Sequence, residues 1–317
     1  MDRIPVTAIV LTRNEAENLP ACLDSLARFA EVVVVDSDST DGTAAVARDH
    51  GARVVRFVWN RAYPKKKQWS LDELDLLHDW VMFVDADERV TPALADELAA
   101  LFAAGPMSLA YFVRARPVVM GRVLRFGAGF RKIALLNRRR CRYPVCDDLG
   151  VATMWEVEGH YQPTVDGQIG SLRQPMLHDD RKPLYQWFER HNRYSDWEVW
   201  LDGQERRLPV YRAETRARRL AKRVFARLPC RPLLVFLAVY IARLGVLDGG
   251  PGLHYALSRA FYYWQVDYKR RWTDAERKAG RDPDLAYSSS DSSSVASPAS
   301  ALISSNARRR TFSSGMR

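Results

Sequence analysis

Short, uniformly apolar runs alternate with amphipathic segments over the first hundred residues, and this order constrains the fold more than any other feature. Val6 to Leu11, Val32-Val33-Val34-Val35 within Glu31 to Val35, Ala52 to Val58 and Trp80 to Val84 read as buried strands. Between them, Leu19, Cys22, Leu23, Leu26 and Phe29 recur at helical spacing. Asn14 is expected to cap that helix, with Glu15 and Glu17 in its first turn, where the helix dipole favours acids. Ser39-Thr40-Asp41-Gly42-Thr43 makes a turn and starts a helix through about His50. Pro64 to Gln68 reads as a basic loop and Ser70 to Leu77 as a helix. Thr91 caps a further helix, with Pro92 at its first position, running to about Ala103. Continuous apolar strands separated by amphipathic helices predict an α/β, Rossmann-like, mostly parallel sheet flanked by helices, with right-handed crossovers.

A sheet of this kind binds ligands at the carboxyl ends of its strands. Asp85-Ala86-Asp87-Glu88 follows the strand Trp80 to Val84. Side chains two apart along a strand point the same way, so Asp85 and Asp87 project together from that edge. Two converging carboxylates repel unless a cation lies between them, and carboxylate oxygens suit Mg²⁺ or Mn²⁺, often shared with a phosphate. Asp36 ends the second strand and Thr12 the first, on the same edge. Three strand ends with polar groups there are far more specific than a lone pair of aspartates, which on its own reads more readily as an acidic, helix-capping loop.

Beyond about residue 108 the pattern changes. Ala110 to Val113 and Lys132 to Leu136 read as strands around a Gly-rich stretch (Gly121, Gly127, Gly129), and Tyr185 to Trp200 as a helix. Residues 206–231 hold ten Arg/Lys against one acid and precede the apolar run Leu233 to Leu247. The chain divides into residues 1–205, a catalytic α/β domain; 206–280, a basic and apolar helical extension; and 281–317, a Ser-rich tail poor in large apolar residues and expected to be disordered. The 317 residues, 47% apolar and 27% charged, are ample for one large core plus an appendage. Cys22, Cys141, Cys146 and Cys230 form no CxxC pair and read as reduced thiols. Met1-Asp2-Arg3 runs straight into a strand with no signal peptide, so the N-terminal half is expected to fold in the cytoplasm.

Three segments, Val6–Glu15 (VTAIVLTRNE), Val32–Thr43 (VVVVDSDSTDGT) and Trp80–Glu88 (WVMFVDADE), resemble the family 2 glycosyltransferases of the GT-A fold. Within them the chain is similar to the WaaE-like, lipopolysaccharide-core β-glucosyltransferase branch over about residues 5–270. The resemblance implies a nucleotide-sugar donor, usually UDP-linked, and inverting transfer. It places Thr12, Arg13, Asn14 and Glu15 along the nucleotide cleft and Asp36 against the base, with Asp38 or Asp41 supporting its loop. Asp85 and Asp87 would hold the metal, Mg²⁺ or Mn²⁺, and the diphosphate. Lys67 matches a basic position that meets phosphate. His178 matches a histidine that touches the metal or diphosphate, and Arg190 and Arg193 match a stretch that faces phosphate. The base is expected at Glu158, with Glu156, Asp147 and Asp148 behind it, although Trp155-Glu156-Val157-Glu158-Gly159-His160 departs from the family's usual His-Glu pair.

The net charge of +10 suggests an anionic partner. A basic stretch beside an apolar helix of about 15 residues, interrupted by Arg243 and followed by Tyr255, Phe261, Tyr262, Tyr263 and Trp264, fits an interfacial anchor on anionic lipid. It is short for a span, which needs roughly 20 apolar residues, and its length equally suits a core helix of a C-terminal subdomain. Asp248-Gly249-Gly250-Pro251-Gly252 resembles the branch's DG-x-x-G segment, and the branch's acceptors are glycolipids or lipid-linked saccharides. A location on the inner face of the cell membrane follows as an expectation. No nucleic-acid-reading module appears. A nucleotidyltransferase would carry a Gly-rich loop after the first strand, where Thr12-Arg13-Asn14-Glu15 has no glycine, and the intact Asp36, Asp85 and Asp87 speak against a non-catalytic membrane adaptor.

Overall fold

The computed structural model describes residues 3–145, 156–158, 161–204, 224, 225, 228 and 230–281. The described residues up to Arg271 form one compact unit, and those from Trp272 onward belong to a second. The first unit begins β1 (Ile4–Thr12), α1 (Leu19–Ser25), β2 (Phe29–Asp36), α2 (Thr43–Asp49), β3 (Arg53–Arg56), α3 (Lys66–Glu73), β4 (Trp80–Asp85), β5 (Glu88–Val90) and α4 (Pro92–Ala104). Then come β6 (Ala110–Val119), β7 (Arg122–Val123), β8 (Phe130–Asn137), β9 (Cys141–Arg142), β10 (Thr164–Val165), β11 (Ile169–Ser171), β12 (Met176–His178) and α5 (Leu184–Gln204). The main sheet runs β3-β2-β1-β4-β8-β6-β12-β5. Its β3-β2-β1-β4 half is parallel, as the alternation predicts. Beyond β4 it is mixed: β8 lies antiparallel to both β4 and β6.

The uninterrupted apolar strands follow from this layering. Ala8, Val10, Val34, Met82 and Val84 pack into the core on one face, with α1 and α4. Their alternate neighbours Ile9, Leu11, Val33, Val35, Val81 and Phe83 pack into a second core on the other face, with Leu71, Leu74 and Tyr143. Both faces are covered, so neither set of alternating positions tolerates a polar residue. Each such large side chain contributes about 1.5–3 kcal/mol by leaving water.

Three local expectations change. Helix α1 starts at Leu19, with Pro20 in its first turn, so Asn14 is not its cap. Asn14 adopts a left-handed conformation (φ 55°), and its side chain serves the neighbouring loop instead. Helix α3 starts at Lys66 rather than Ser70, so Lys65, Lys66 and Lys67 are buried at a helix start and not a solvated loop. The apolar run Leu233–Leu247 is not one helix. It breaks into α6 (Arg231–Leu237), a wide turn of π-helix over Ala238–Ala242, a left-handed Leu244 (φ 62°) and a 3₁₀ turn over Gly245–Asp248 before α7 (Gly249–Lys278). The break is closely packed: a Cβ on Gly252 would stand 2.1 Å from the Gly245 carbonyl oxygen. Among the described residues no single helix is long and apolar enough to cross a membrane; Arg231–Ala242 and Gly245–Lys278 together have that length and apolarity but bend by 71°. Most of the basic run 206–231, Asp147, Asp148 and His160, and the tail beyond Arg281 lie outside the described residues.

Candidate active site

The parallel register aligns the strand ends: Thr12 pairs with Asp36 and Leu11 with Asp85. The Thr12 hydroxyl donates to Asp36 Oδ1 (2.8 Å), and the Ser39 N–H donates to Asp36 Oδ2 (2.9 Å). The Asn14 N–H donates to Ser39 Oγ (2.8 Å), while Asn14 Oδ1 accepts the Thr40 N–H (2.8 Å). Asp41 accepts the Ala16 N–H (3.0 Å), and the Glu15 N–H donates to Thr43 Oγ1 (2.8 Å). The loops after β1 and β2 are thus laced together into one wall. Arg13 extends outward from it, 3.6 Å from Glu156, and Asp38 pairs with Arg56 at 2.5 Å on the surface. The guanidinium of Arg56 holds the Asp38 carboxyl below its usual range. The Glu15 carboxylate accepts from Lys182 Nζ (2.5 Å) and Asn18 Nδ2 (3.0 Å); burial nonetheless pushes its pKa up.

The start of α3 brings cations under this wall. Lys66 Nζ donates to the Thr12 carbonyl (2.7 Å) and to Glu156 Oε1 (3.3 Å). Lys67 is buried and lies over the Tyr143 ring at 5.7 Å, and its ammonium donates to no described residue. Burial lowers its pKa, opposed chiefly by the Asp85 carboxylate. Glu158 is placed where the N-terminal peptide groups of α3 would otherwise be orphaned. Its two oxygens accept the N–H groups of Lys67 (2.8 Å) and Gln68 (2.7 Å). Burial raises its pKa against the pull of those donors.

The paired aspartates separate in their contacts. Lys132 Nζ, from β8, donates to Asp85 Oδ2 (2.6 Å) and to Glu88 Oε2 (2.7 Å), and the Asp85 N–H also donates to Glu88 Oε2 (2.9 Å). Burial opposes charge on Asp85, but the Lys132 and Lys67 ammonium groups outweigh it and hold that carboxyl below its usual range. Glu88 is fully buried, and burial, with Asp85 adding to it, pushes its pKa up to about 7 despite Lys132. Asp87 faces the other way. β5 pairs with β12 so that Glu88 stands opposite His178, bringing His178 Nδ1 to 3.4 Å from Asp87 Oδ1. The Asp87 carbonyl accepts the Asp179 N–H (2.7 Å). Asp180 then accepts from Asn18 Nδ2 (3.1 Å) and from Arg190. The segment 179–182 therefore closes a ring from Asp87 back to Glu15.

The three expected metal ligands do not converge: among the described residues no group of three or more His, Cys, Asp or Glu side chains is placed to hold an ion. Asp87 and His178 are adjacent, whereas Asp85 is engaged by Lys132. The donor set still fits a divalent cation. Among the described residues His178 Nδ1 is buried with no hydrogen-bond partner, beside the Asp87 carboxylate, and the Asp85 side chain is 43% exposed. Sequence reasoning passed over Lys132 and Lys66. Lys132 carries no local signal, being one basic residue at the start of a strand. Lys66 was masked by its neighbours in a run that reads as surface.

Asp36, the paired aspartates and the buried lysines thus gather at the carboxyl ends of the strands, where sheets of this kind bind ligands. Residues 7–153 match the family model "Glycosyl transferase family 2", which supports a glycosyltransferase. A lipopolysaccharide core biosynthesis glycosyltransferase, LpsC, of Rhizobium meliloti (strain 1021) is 29% identical over 61% of this chain and 70% of its own length. An uncharacterized glycosyltransferase of Rickettsia felis is 36% identical over 31% of this chain; the chain spans about a third, 34%, of that relative. Among solved structures, the mannosyltransferase PcManGT of Pyrobaculum calidifontis in complex with GDP-Man and Mn²⁺ is similar at 20% identity and a TM-score of 0.41, over 85% of this chain and 88% of that one.

Proposed function

We propose that the protein is an inverting, metal-dependent glycosyltransferase that moves a hexose from a nucleotide-sugar, UDP-linked, to a hydroxyl of a lipid-linked or cell-envelope glycan. The observation that carries this reading is the grouping of Asp36, Asp85 and Asp87 at one sheet edge above two buried lysines, one of which, Lys67, has an ammonium that donates to no other described residue. A buried ammonium of this kind is costly to keep charged, and a donor diphosphate would supply its counter-charge. Thr12, Arg13, Asn14, Glu15 and Asp36, with Asp38 behind them, line the nucleotide side. Asp85, Asp87 and His178 hold the cation when it is bound, which supplies Lewis-acid neutralisation of the departing diphosphate. Lys67 adds a fixed positive charge to the same oxygens. Kinship with LpsC supports a glycan acceptor. Residues 1–205 act as the catalytic domain, 206–280 as an extension that associates with the inner face of the cell membrane, and 281–317 as a tail. Nothing in the wall after β1 favours a nucleotidyltransferase.

A thermal-shift series with UDP-, GDP- and TDP-sugars, with and without Mn²⁺, tests the donor. A ligand at about 100 times its Kd stabilises by about 2.7 kcal/mol. The largest shift is expected for a UDP-sugar with Mn²⁺, and the absence of any shift with every donor would reject the reading. The base is proposed as Glu158. For this role one of its oxygens must take the acceptor's O–H beside the backbone N–H it already accepts, which a carboxylate oxygen's second lone pair allows. Glu158→Gln also sets an amide NH₂ against a backbone N–H at the start of α3. The variant is expected to melt earlier, by about 1–3 kcal/mol of stability, and its folded fraction to bind donor yet lose about 10²–10⁴-fold in transfer. Transfer per folded molecule equal to wild type would move the base elsewhere and leave Glu158 a support for α3.

A further inference from the structure

The Gly-rich stretch after β6 and the broken apolar run before α7 are far apart in sequence and clasped together in the fold. The Asp248 carboxylate accepts the N–H groups of Arg125 (3.0 Å) and Phe126 (2.9 Å). The Arg243 carbonyl accepts the Gly127 N–H (2.8 Å). Gly127 is left-handed (φ 65°), and a Cβ there would fall 2.7 Å from the Val239 carbonyl oxygen, so only glycine permits the approach. This gives a reason for the Asp-Gly at 248–249: the carboxylate holds the loop and the glycine (φ 66°) turns the chain into α7.

The clasp presents large apolar side chains to the outside from both partners. Met120 is 68% exposed on the loop, and Ile241, Leu244 and Leu247 are 54%, 50% and 61% exposed on the elbow. Val123, Phe126 and Leu237, on the same two segments, are exposed as well. The charges among them have one sign. Arg122, Arg125 and Arg243 are exposed, residues 120–130 and 231–247 contain no acid, and the single carboxylate at the elbow, Asp248, is consumed by the clasp.

We propose that this loop and elbow form one docking face for an anionic bilayer, with the apolar side chains seated among the acyl chains and the three arginines at the headgroups. Apolar residues ringed by cations are what an interfacial element needs. A symmetric contact with a second copy would oppose the same arginines to one another, with no acid on the face to pair them. The catalytic domain itself thus meets the membrane, through a loop that the sequence showed only as glycine-rich. The loop leads directly into β8, where Phe130 packs edge-on against His178 at 5.7 Å and Lys132 holds Asp85. Docking sets the mouth of the active site one strand-end from the lipid surface. The purpose, delivery of a lipid-borne acceptor, rests on the function proposed above; the docking itself does not.

The test uses the full chain with sedimenting vesicles, either phosphatidylcholine alone or an equimolar mixture with phosphatidylglycerol. Wild type is expected to partition onto the anionic vesicles and much less onto the neutral ones. Met120→Glu combined with Leu247→Glu, both at exposed positions, is expected to weaken that partition about tenfold or more while leaving the melting temperature unchanged. Equal binding by the double variant overturns the proposal and assigns attachment to the basic run 206–231. A wild-type dimer that the double variant dissolves, without vesicle binding by either, overturns it in favour of a contact between copies. UDP-sugar hydrolysis measured without vesicles separates the two readings. Its absence in wild type would reject the transferase, and vesicle binding would still report on the face.

Discussion

Asp87→Ala is expected to reduce glycosyl transfer and donor hydrolysis by about 10²–10³-fold or more, the usual cost of removing one group that stabilises charge developing on a leaving group. Asp87 is the aspartate of the pair with the fewest structural obligations. Among the described residues its carboxylate pairs with His178 at 3.4 Å, and its backbone carbonyl, which the variant keeps, accepts from Asp179. The substitution should therefore remove function with little loss of stability. Two measurements separate function from folding: a thermal melt, expected near wild type, and the extra stabilisation that Mn²⁺ gives to the UDP-bound protein, expected to vanish. Asp96→Ala, which breaks only the surface pair with Arg28, serves as the control with wild-type turnover. Full transfer by Asp87→Ala would remove this residue from the proposed chemistry and leave Asp85 to be explained by its pairing with Lys132.

Lys132→Met is expected to have the largest effect on stability. It leaves Glu88, fully buried, and Asp85 beside it without their shared cation. Breaking a buried pair from one side typically costs about 3–5 kcal/mol, and the partial exposure of Asp85 puts the expectation at the lower end. The pH dependence carries the sign. The folded Glu88 already releases its proton only at about 7, against an ordinary 4.5. The unfolded chain gives the proton up first as pH rises, so the folded state is penalised increasingly from about 4.5 upward. Loss of Lys132 pushes the folded value higher still. The deficit of the variant is therefore expected to be small under mildly acidic conditions and to grow toward neutral and alkaline pH. Denaturant titrations across that range would show it. A deficit that shrinks with rising pH would mean that Lys132 does not neutralise Glu88. On the proposed assignment of Asp85, Asp87 and His178 to the cation, Mn²⁺ is expected to restore part of the loss.

Much of the polar wall after β1 and β2 is legible in the sequence because it is built from local signals. An apolar run ending in Thr12, Asp36 or Asp85 specifies both a buried strand and the polar residue at its carboxyl end. Once the strands are parallel neighbours, their ends must share an edge, and the register puts Thr12 against Asp36 and Leu11 against Asp85. The adjacency of His178 to the aspartates came through family resemblance, and its cause is the antiparallel pairing of β12 with β5, which no local pattern announces. Asn14 was misread because a cap and a left-handed loop residue call for the same short polar side chain.

The lysines mark the boundary between the two kinds of information. Alternation of apolar runs and the chemistry of the residues that end them were enough to specify an α/β sheet with a carboxylate-bearing edge, because burial on both faces leaves such strands few other arrangements. Which charges neutralise that edge depended on pieces distant in the chain. Lys132 reaches Asp85 only because β8 enters the sheet antiparallel beside β4, and Lys67 is buried because Glu158, some ninety residues on, satisfies the first peptide groups of α3. A charge has no preferred address in sequence. Its address is wherever packing removes water and brings an opposite charge within a few ångströms, and only the assembled tertiary structure specifies that.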